Sequence, residues 1–197
     1  MTEKKKNAEQ IAGEILRLSR NMLLVNLRFL DAALNQLELR PVAASSLLTD
    51  GEHLCYRPEW VLRTFQTAKE IPVRDYLHVV MHCIFRHMYM SPSIDREYWD
   101  LACDIAAEYV ITGLGIKAAE APRQEEQKQY FKAIQHDLNH VTAEKLYAYL
   151  RQTAPNPMRL AQLQDIFSAD DHALWYLTPQ CVEERLGTGE RSEQAAE

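Results

Sequence analysis

The sequence lacks the features that mark several large classes of protein. It contains no glycine-rich phosphate loop and no Gly-x-Ser-x-Gly elbow, and only 6 of its 197 residues are glycine. These absences disfavour nucleotide-binding and serine-hydrolase chemistry. Lysine and arginine number 22 against 28 acidic residues, which gives a formal net charge of −6. Because nucleic-acid-binding proteins usually present a basic face, we expect no nucleic-acid partner.

The chain also has little that would place it in a membrane or an oxidising compartment. No apolar run approaches the ~18 residues of a membrane span, and the charged N-terminus lacks the apolar stretch of a signal peptide. The 4 cysteines are scattered without a Cys-x-x-Cys pair, at Cys55, Cys83, Cys103 and Cys181. We interpret them as reduced, mostly buried thiols. The sequence therefore predicts a cytoplasmic protein that does not contact membranes.

Helical periodicity dominates what is present. Apolar residues recur at helical spacing in most of the chain, and hydrophobic residues make up 47% of it, enough for one compact domain. Predicted helices cover residues 3–38, with a candidate break at 19–21, then 58–67, 96–112, 143–152 and 158–167, and a further helix runs from Pro72 to Ser91. Residues 117–140 are polar and predict a surface connection with a short helix at 129–134.

A strand pattern occurs only between residues 42 and 56. Two short apolar runs flank Asp50-Gly51, which is typical of a β-hairpin turn. We therefore expect a predominantly helical α+β fold with a small hairpin or sheet beside the histidine-bearing helix. The last residues, 187–197, contain no large apolar side chain. We expect a domain over residues 1–180, with 181–197 a disordered tail or a linker to a further C-terminal module.

Two histidines four residues apart are the most informative feature. His78 and His82 lie about 40° apart around a helix, so both imidazoles can reach one ion. In the His-Glu-x-x-His pattern of zinc proteases, the Glu after the first His is the general base. Val79 occupies that position here, and valine cannot take a proton from water. The spacing therefore indicates a metal-binding helix without its usual catalytic carboxylate.

A third ligand must come from elsewhere in the chain, because zinc sites of this kind use three protein ligands. His87 lies nine residues after His78, which is about 180° around a helix, so we expect it to face away. Asp104 is the better candidate, since a neighbouring antiparallel helix can bring its carboxylate to both imidazoles. Glu108 lies on the same helical face, where it can orient a ligand, replace a carboxylate or act as an alternative base.

Four segments also carry a resemblance to a known family. They are Thr49-Asp50-Gly51 followed by Tyr56 and Pro58, His78 to His87, Trp99 to Asp104, and Asp170-Asp171-His172 with Trp175. In this order they resemble the N-terminal zincin-like domain of the VWA-like domain-containing metallopeptidases, over about residues 45–176. His172 in the last segment either stabilises an oxyanion, covers the site or belongs to a capped turn that packs on Trp175.

The resemblance implies a zinc cofactor bound by His78, His82 and Asp104 on a zincin-like scaffold. The family's catalytic Glu falls on Val79. The resemblance also implies a companion VWA-like module, whose Asp-x-Ser-x-Ser signature is absent from this chain. By family analogy it further implies a protein or peptide ligand and a MoxR-type AAA+ ATPase as partners.

Three hypotheses about function follow. In the first, the domain is a degenerate metallopeptidase-like zinc-binding module, a pseudoenzyme with a binding or regulatory role. In the second, it is an active zinc-dependent peptidase that uses another carboxylate, such as Glu108. In the third, it is a metal-free helical interaction domain in which His78 and His82 bind nothing.

Overall fold

A computed structural model describes residues 3–154 and 156–194 of the chain. Helices carry most of these residues: α1 (Glu3–Asn26), α2 (Asp31–Gln36), α3 (Pro58–Thr67), α4 (Glu70–Phe85), α5 (Arg96–Leu114), α6 (Gln124–Asp137), α7 (Ala143–Thr153), α8 (Pro157–Phe167) and α9 (Pro179–Gln194). The strands are β1 (Glu38–Pro41), β2 (Leu47–Thr49) and β3 (His53–Tyr56), and short 3-10 helices cover Arg28–Leu30, Lys117–Ala119 and Ala173–Tyr176. The predicted α+β class, predominantly helical, is confirmed. In the described ranges, no helix combines the length and apolar character needed to cross a membrane.

The three strands form one sheet in the order β1-β3-β2. Strands β2 and β3 pair antiparallel, which confirms the predicted hairpin. Gly51 adopts a φ of 95° in the turn, and Asp50 Oδ1 accepts the backbone N–H groups of Glu52 and His53. Strand β1 pairs parallel to β3 and was not predicted. The edge position of β1 tolerates Pro41, which has no N–H to donate to a ladder.

Two apolar cores flank a polar layer between α4 and α5. The first core joins residues of α1, the sheet, α3 and α4, and it contains Val79. The second core joins α5 to residues of α6, α7 and α8, and it contains Cys103. Because α4 packs against α5, the polar residues on their facing sides are buried between the two cores. The four cysteines are free, in agreement with their interpretation as reduced thiols.

Several helix boundaries differ from the predicted ones, and the helix predicted over 3–38 is divided into α1 and α2 before β1 begins at Glu38. Helix α1 continues through Ser19, whose buried hydroxyl donates to the carbonyl oxygen of Ile15 one turn earlier, so the helix has no break there. Helix α5 passes Gly113 and ends at Gly115, which has a φ of 62°. Helix α6 spans 14 residues and extends the short helix predicted at 129–134 in both directions, because it buries one face against its neighbours, at Gln124, Gln127, Phe131 and Ile134.

The end of α4 corrects the prediction for His87. The helix stops at Phe85 because Arg86 adopts the left-handed conformation, with φ 58° and ψ 37°. The N–H of Arg86 donates to the carbonyl of Cys83, and the N–H of His87 donates to that of His82 at 3.1 Å, as in a Schellman cap. His87 is therefore not on the helix, and the expectation that it faces away from His82 is wrong.

The C-terminal segment 181–197, which we expect to be a disordered tail or a linker, begins inside α9. Residues 195–197 lie outside the described part of the chain. The division into a domain over 1–180 and a tail stays a prediction.

The left-handed residue that ends α4 gives a test of this turn. A β-branched residue is strained at positive φ, whereas glycine is not. Arg86 itself carries most of this strain, so Arg86→Gly should raise the free energy of unfolding and Arg86→Val should lower it, with about 1–2 kcal/mol between the two variants. Urea unfolding of both variants measures the difference. A Val variant as stable as the Gly variant would contradict the left-handed cap.

Candidate metal centre

Helices α4 and α5 bring the three predicted residues together. Asp104 Oδ1 lies 3.2 Å from His78 Nε2 and 3.4 Å from His82 Nε2. Both imidazoles come from successive turns of α4, and the carboxylate comes from the facing side of α5. All three side chains are buried. The convergence that the spacing predicts is therefore present, while the role of these residues as ligands stays a prediction.

A fourth donor enters from the segment that follows α8. Asp170 Oδ1 lies 3.5 Å from His78 Nε2 and 3.8 Å from His82 Nε2, and its side chain is 1% exposed. One ligand atom from each of His78, His82, Asp104 and Asp170 lies within 4.8 Å of the other three. The sequence analysis placed Asp170 in its Asp-Asp-His segment but gave it no ligand role. The only sequence signal for a ligand role of Asp170 is that it lies two residues before His172.

The four residues are positioned to bind a metal ion, and their geometry fits one. Donor atoms of a tetrahedral zinc site with ~2 Å bonds lie about 3.3 Å apart, close to the distances found here. His82 Nε2 and Asp170 Oδ2 are buried, and among the described residues neither has a hydrogen-bond partner. A buried unsatisfied polar atom costs about 1–3 kcal/mol, which a bound cation would remove. Imidazole and carboxylate together suit zinc and other divalent first-row metals.

A buried ion-pair network orients His78. Its Nδ1 atom lies 2.9 Å from Glu108 Oε1, and Arg74 donates to Glu108 Oε2 at 2.7 Å. Arg123 contacts Glu108 Oε1 at 3.0 Å and Asp75 at 2.6 Å. Burial alone would raise the pKa of Glu108, but the Arg123 charge and the His78 hydrogen bond hold it well below its usual range. The ionised carboxylate therefore accepts the Nδ1–H of His78, which directs Nε2 to the donor cluster.

His87 orients the second imidazole. The Nδ1 atoms of His82 and His87 lie 2.8 Å apart, so one of them donates to the other. Burial lowers the pKa of both histidines, and the neighbouring His82 contributes to lowering that of His87 to about 3. Both rings are therefore neutral. When His82 donates from Nδ1, its Nε2 lone pair is available to a cation.

His172 lies beside both carboxylates. Its Nε2 atom is 2.9 Å from Asp170 Oδ1 and 3.2 Å from Asp104 Oδ1. Burial opposes protonation, but Asp170 and Asp104 raise the pKa of His172 well above its usual range. The ring stacks on Trp175 with centroids 3.8 Å apart, and Trp175 also contacts His82. This arrangement agrees with two of the alternatives left open by the sequence: His172 covers the site, and it belongs to a capped turn that packs on Trp175.

These features define the class of the protein. Two helices present a buried His-x-x-x-His pair and an aspartate, as expected of a metal-binding domain of the metallopeptidase type. A family model described as a putative metallopeptidase domain matches residues 19–196, and the chain belongs to this family. Comparisons with curated proteins and with solved structures find no match.

The contact between His82 and His87 predicts an effect on metal affinity. Outer partners of ligating histidines typically contribute 10–100-fold to metal affinity. His87→Ala should therefore weaken metal binding by roughly 10-fold or more. His136, an exposed histidine on α6, provides a matched control, and His136→Ala should leave the affinity unchanged. Competition with a chromophoric chelator measures both, and equal affinities for the two variants would contradict the role of His87.

Metal affinity should also rise with pH. Burial alone would lower the pKa of His78, but hydrogen bonds to Asp104 and Asp170 raise it well above its usual range. The metal-free protein therefore keeps a proton on this ring near neutral pH, and metal binding must release it. We expect tighter binding at each step between about pH 6 and pH 8. Calorimetry in buffers of different ionisation enthalpy measures the protons released, and none released would contradict the expectation.

Proposed function

We propose that this domain holds one divalent cation, which we assign as zinc, in a closed centre and acts as a binding or regulatory module without peptidase activity. The observation that supports the proposal most is the meeting of four donor atoms within 4.8 Å. The site is enclosed, since the Asp104 and Asp170 side chains are only 2% and 1% exposed. Structural zinc sites are closed by four protein ligands, whereas catalytic sites keep one position for water.

The proposal of a degenerate centre rests on the missing proton carrier. Bound zinc acidifies a coordinated water, but peptide hydrolysis also needs a group that takes the proton and passes it to the leaving amine. Val79, at the position of the usual base, is fully buried in the first apolar core. The valine side chain at that position cannot carry a proton to a substrate.

Glu108 is poorly suited to replace the missing base. Its two carboxylate oxygens already contact His78, Arg74 and Arg123, and its side chain is 0% exposed. A general base must reach a water or substrate proton and must have a pKa near the working pH. The lowered pKa and the full set of contacts favour an orienting role for Glu108. The hypothesis of an active peptidase based on Glu108 is therefore the weaker one.

The metal-free hypothesis is disfavoured by the buried atoms of the cluster that have no hydrogen-bond partner among the described residues, His82 Nε2 and Asp170 Oδ2. Asp104 and Asp170 are buried side by side, close to His82 Nε2. A cation would compensate both carboxylates and satisfy this nitrogen at once. A protein or peptide partner, including a MoxR-type ATPase acting with a VWA-like module, belongs to the proposal only through the family resemblance.

Metal analysis of the purified protein tests the binding part of the proposal. We expect about one equivalent of zinc per chain after purification without chelator, or after titration of the chelator-treated protein. His82→Ala should lose most of this zinc because it removes one of the two imidazole donors on α4 and leaves a single nitrogen ligand. Failure of the wild-type chain to take up zinc under both conditions would defeat the proposal.

A hydrolysis assay tests the degenerate part separately. Zinc-loaded wild type, His82→Ala and Glu108→Ala are incubated with a broad peptide library, and cleavage is followed by mass spectrometry. We expect the wild type to cleave no faster than His82→Ala, because the centre has no proton carrier and no open position. If the wild type cleaves peptides and His82→Ala does not, the domain is an active peptidase. If Glu108→Ala also fails to cleave them, the result points to Glu108 as the base.

A further inference from the structure

The donor Asp170 differs from the other three in where it comes from. His78, His82 and Asp104 lie on two packed helices, whereas Asp170 lies in the short connection between α8 and α9. We call residues 168–176, which include the Ala173–Tyr176 turn, the closing segment. The helices alone would present two imidazoles and one carboxylate, the ligand number of a catalytic zinc site that keeps a position for water.

The closing segment is attached to the outer edge of the sheet. Strand β2 pairs with β3 on one side only, and its other edge meets Asp171 through an isolated parallel bridge with Leu48. The N–H of Asp171 donates to the carbonyl of Leu47 at 2.8 Å, and Ser45 donates to Asp171 Oδ2 at 3.0 Å. An extended peptide attached to a free strand edge is a common way for proteins to bind peptides.

Two further contacts anchor the far end of the segment. The hydroxyl of Tyr176 donates to Asp100 on α5, and Arg96 lies over the Tyr176 ring, 4.3 Å from its centroid. Leu174 is buried in a small apolar cluster with Leu48. These contacts hold the segment in place, and none of them involves the Asp170 side chain.

Asp170 itself contributes little to this attachment. Its Oδ1 atom contacts His172, a residue of the same segment, at 2.9 Å and lies 3.5 Å from His78 Nε2, and its Oδ2 atom has no hydrogen-bond partner among the described residues. The segment therefore positions Asp170, and removal of its carboxylate should leave the segment attached. A buried carboxylate with an unpartnered oxygen, aimed at two imidazoles, is the group expected of a metal ligand.

We propose that Asp170 is an internal carboxylate ligand that fills the coordination position open to water in a catalytic centre, so that the closing segment keeps the metal from external ligands. This inference rests on the proposed metal binding and identifies the donor that closes the site. When the Asp170 carboxylate is absent, the position becomes available to a small external carboxylate or to water. We expect the centre then to bind an anionic oxygen ligand, the same kind of donor as the Asp170 carboxylate.

Cobalt(II) spectroscopy with an added carboxylate tests this assignment. Chelator-treated wild type, Asp170→Ala and the control Asp165→Ala, which removes an exposed carboxylate on α8, are loaded with Co²⁺ and titrated with acetate. The visible bands of Co²⁺ report its coordination number and ligands. We expect all three proteins to bind Co²⁺, and acetate to shift the bands of Asp170→Ala while leaving wild type and Asp165→Ala unchanged. Asp170→Ser, which keeps a small polar side chain but is too short to place an oxygen at the same position, serves if the alanine variant does not fold by circular dichroism.

The outcomes separate this inference from the proposed function. If the wild type takes up no Co²⁺ and no zinc, the proposed function fails and this inference fails with it. If the wild type binds Co²⁺ but its bands already respond to acetate, or if the Asp170 variants respond no more than wild type, metal binding stands and the closing role of Asp170 is overturned. Loss of Co²⁺ by a folded Asp170 variant would also overturn it, because the other three donors would then not form a site.

Discussion

Two carboxylates buried side by side are the constraint on which the rest of the site depends. Asp104 and Asp170 are nearly inaccessible, and an uncompensated buried carboxylate is very unfavourable. The nearby arginines Arg74 and Arg123 are paired with Glu108 and Asp75, so their charges balance within that network. Positive charge for the two aspartates must therefore come from protonated imidazoles or from a dication. The raised pKa values of the adjacent histidines reflect this demand.

The two carboxylates also explain why His78 and His82 each have a second hydrogen-bond partner, which fixes the orientation of the ring. Glu108 holds one imidazole and His87 holds the other, so both rings present Nε2 to the carboxylates. Burial between two apolar cores strengthens these contacts, because water does not compete for the polar atoms. It also limits the access of solvent to the donor atoms. The proposed role, retention of a cation without turnover of a substrate, rests on this enclosure of the donor atoms.

Local sequence signals predicted much of the fold and the part of the site that lies on regular helices. The helical spacing placed His78 and His82 correctly, and the Asp-Gly turn identified the hairpin. His87 was misplaced because an arginine, not a glycine, adopts the left-handed conformation that ends α4, and no sequence rule signals this. Asp170 was missed as a donor because its position depends on pairing with an edge strand more than 100 residues earlier in the chain. Such long-range contacts leave no periodic pattern in the sequence.

X-ray absorption at the zinc edge of the loaded protein would reveal which atoms coordinate the metal. The account predicts a shell of four light atoms, two imidazole nitrogens and two carboxylate oxygens, at about 2.0–2.2 Å. It also predicts no sulfur, because the cysteines are not part of the cluster. A sulfur scatterer, or a six-coordinate shell composed mainly of water, would contradict it.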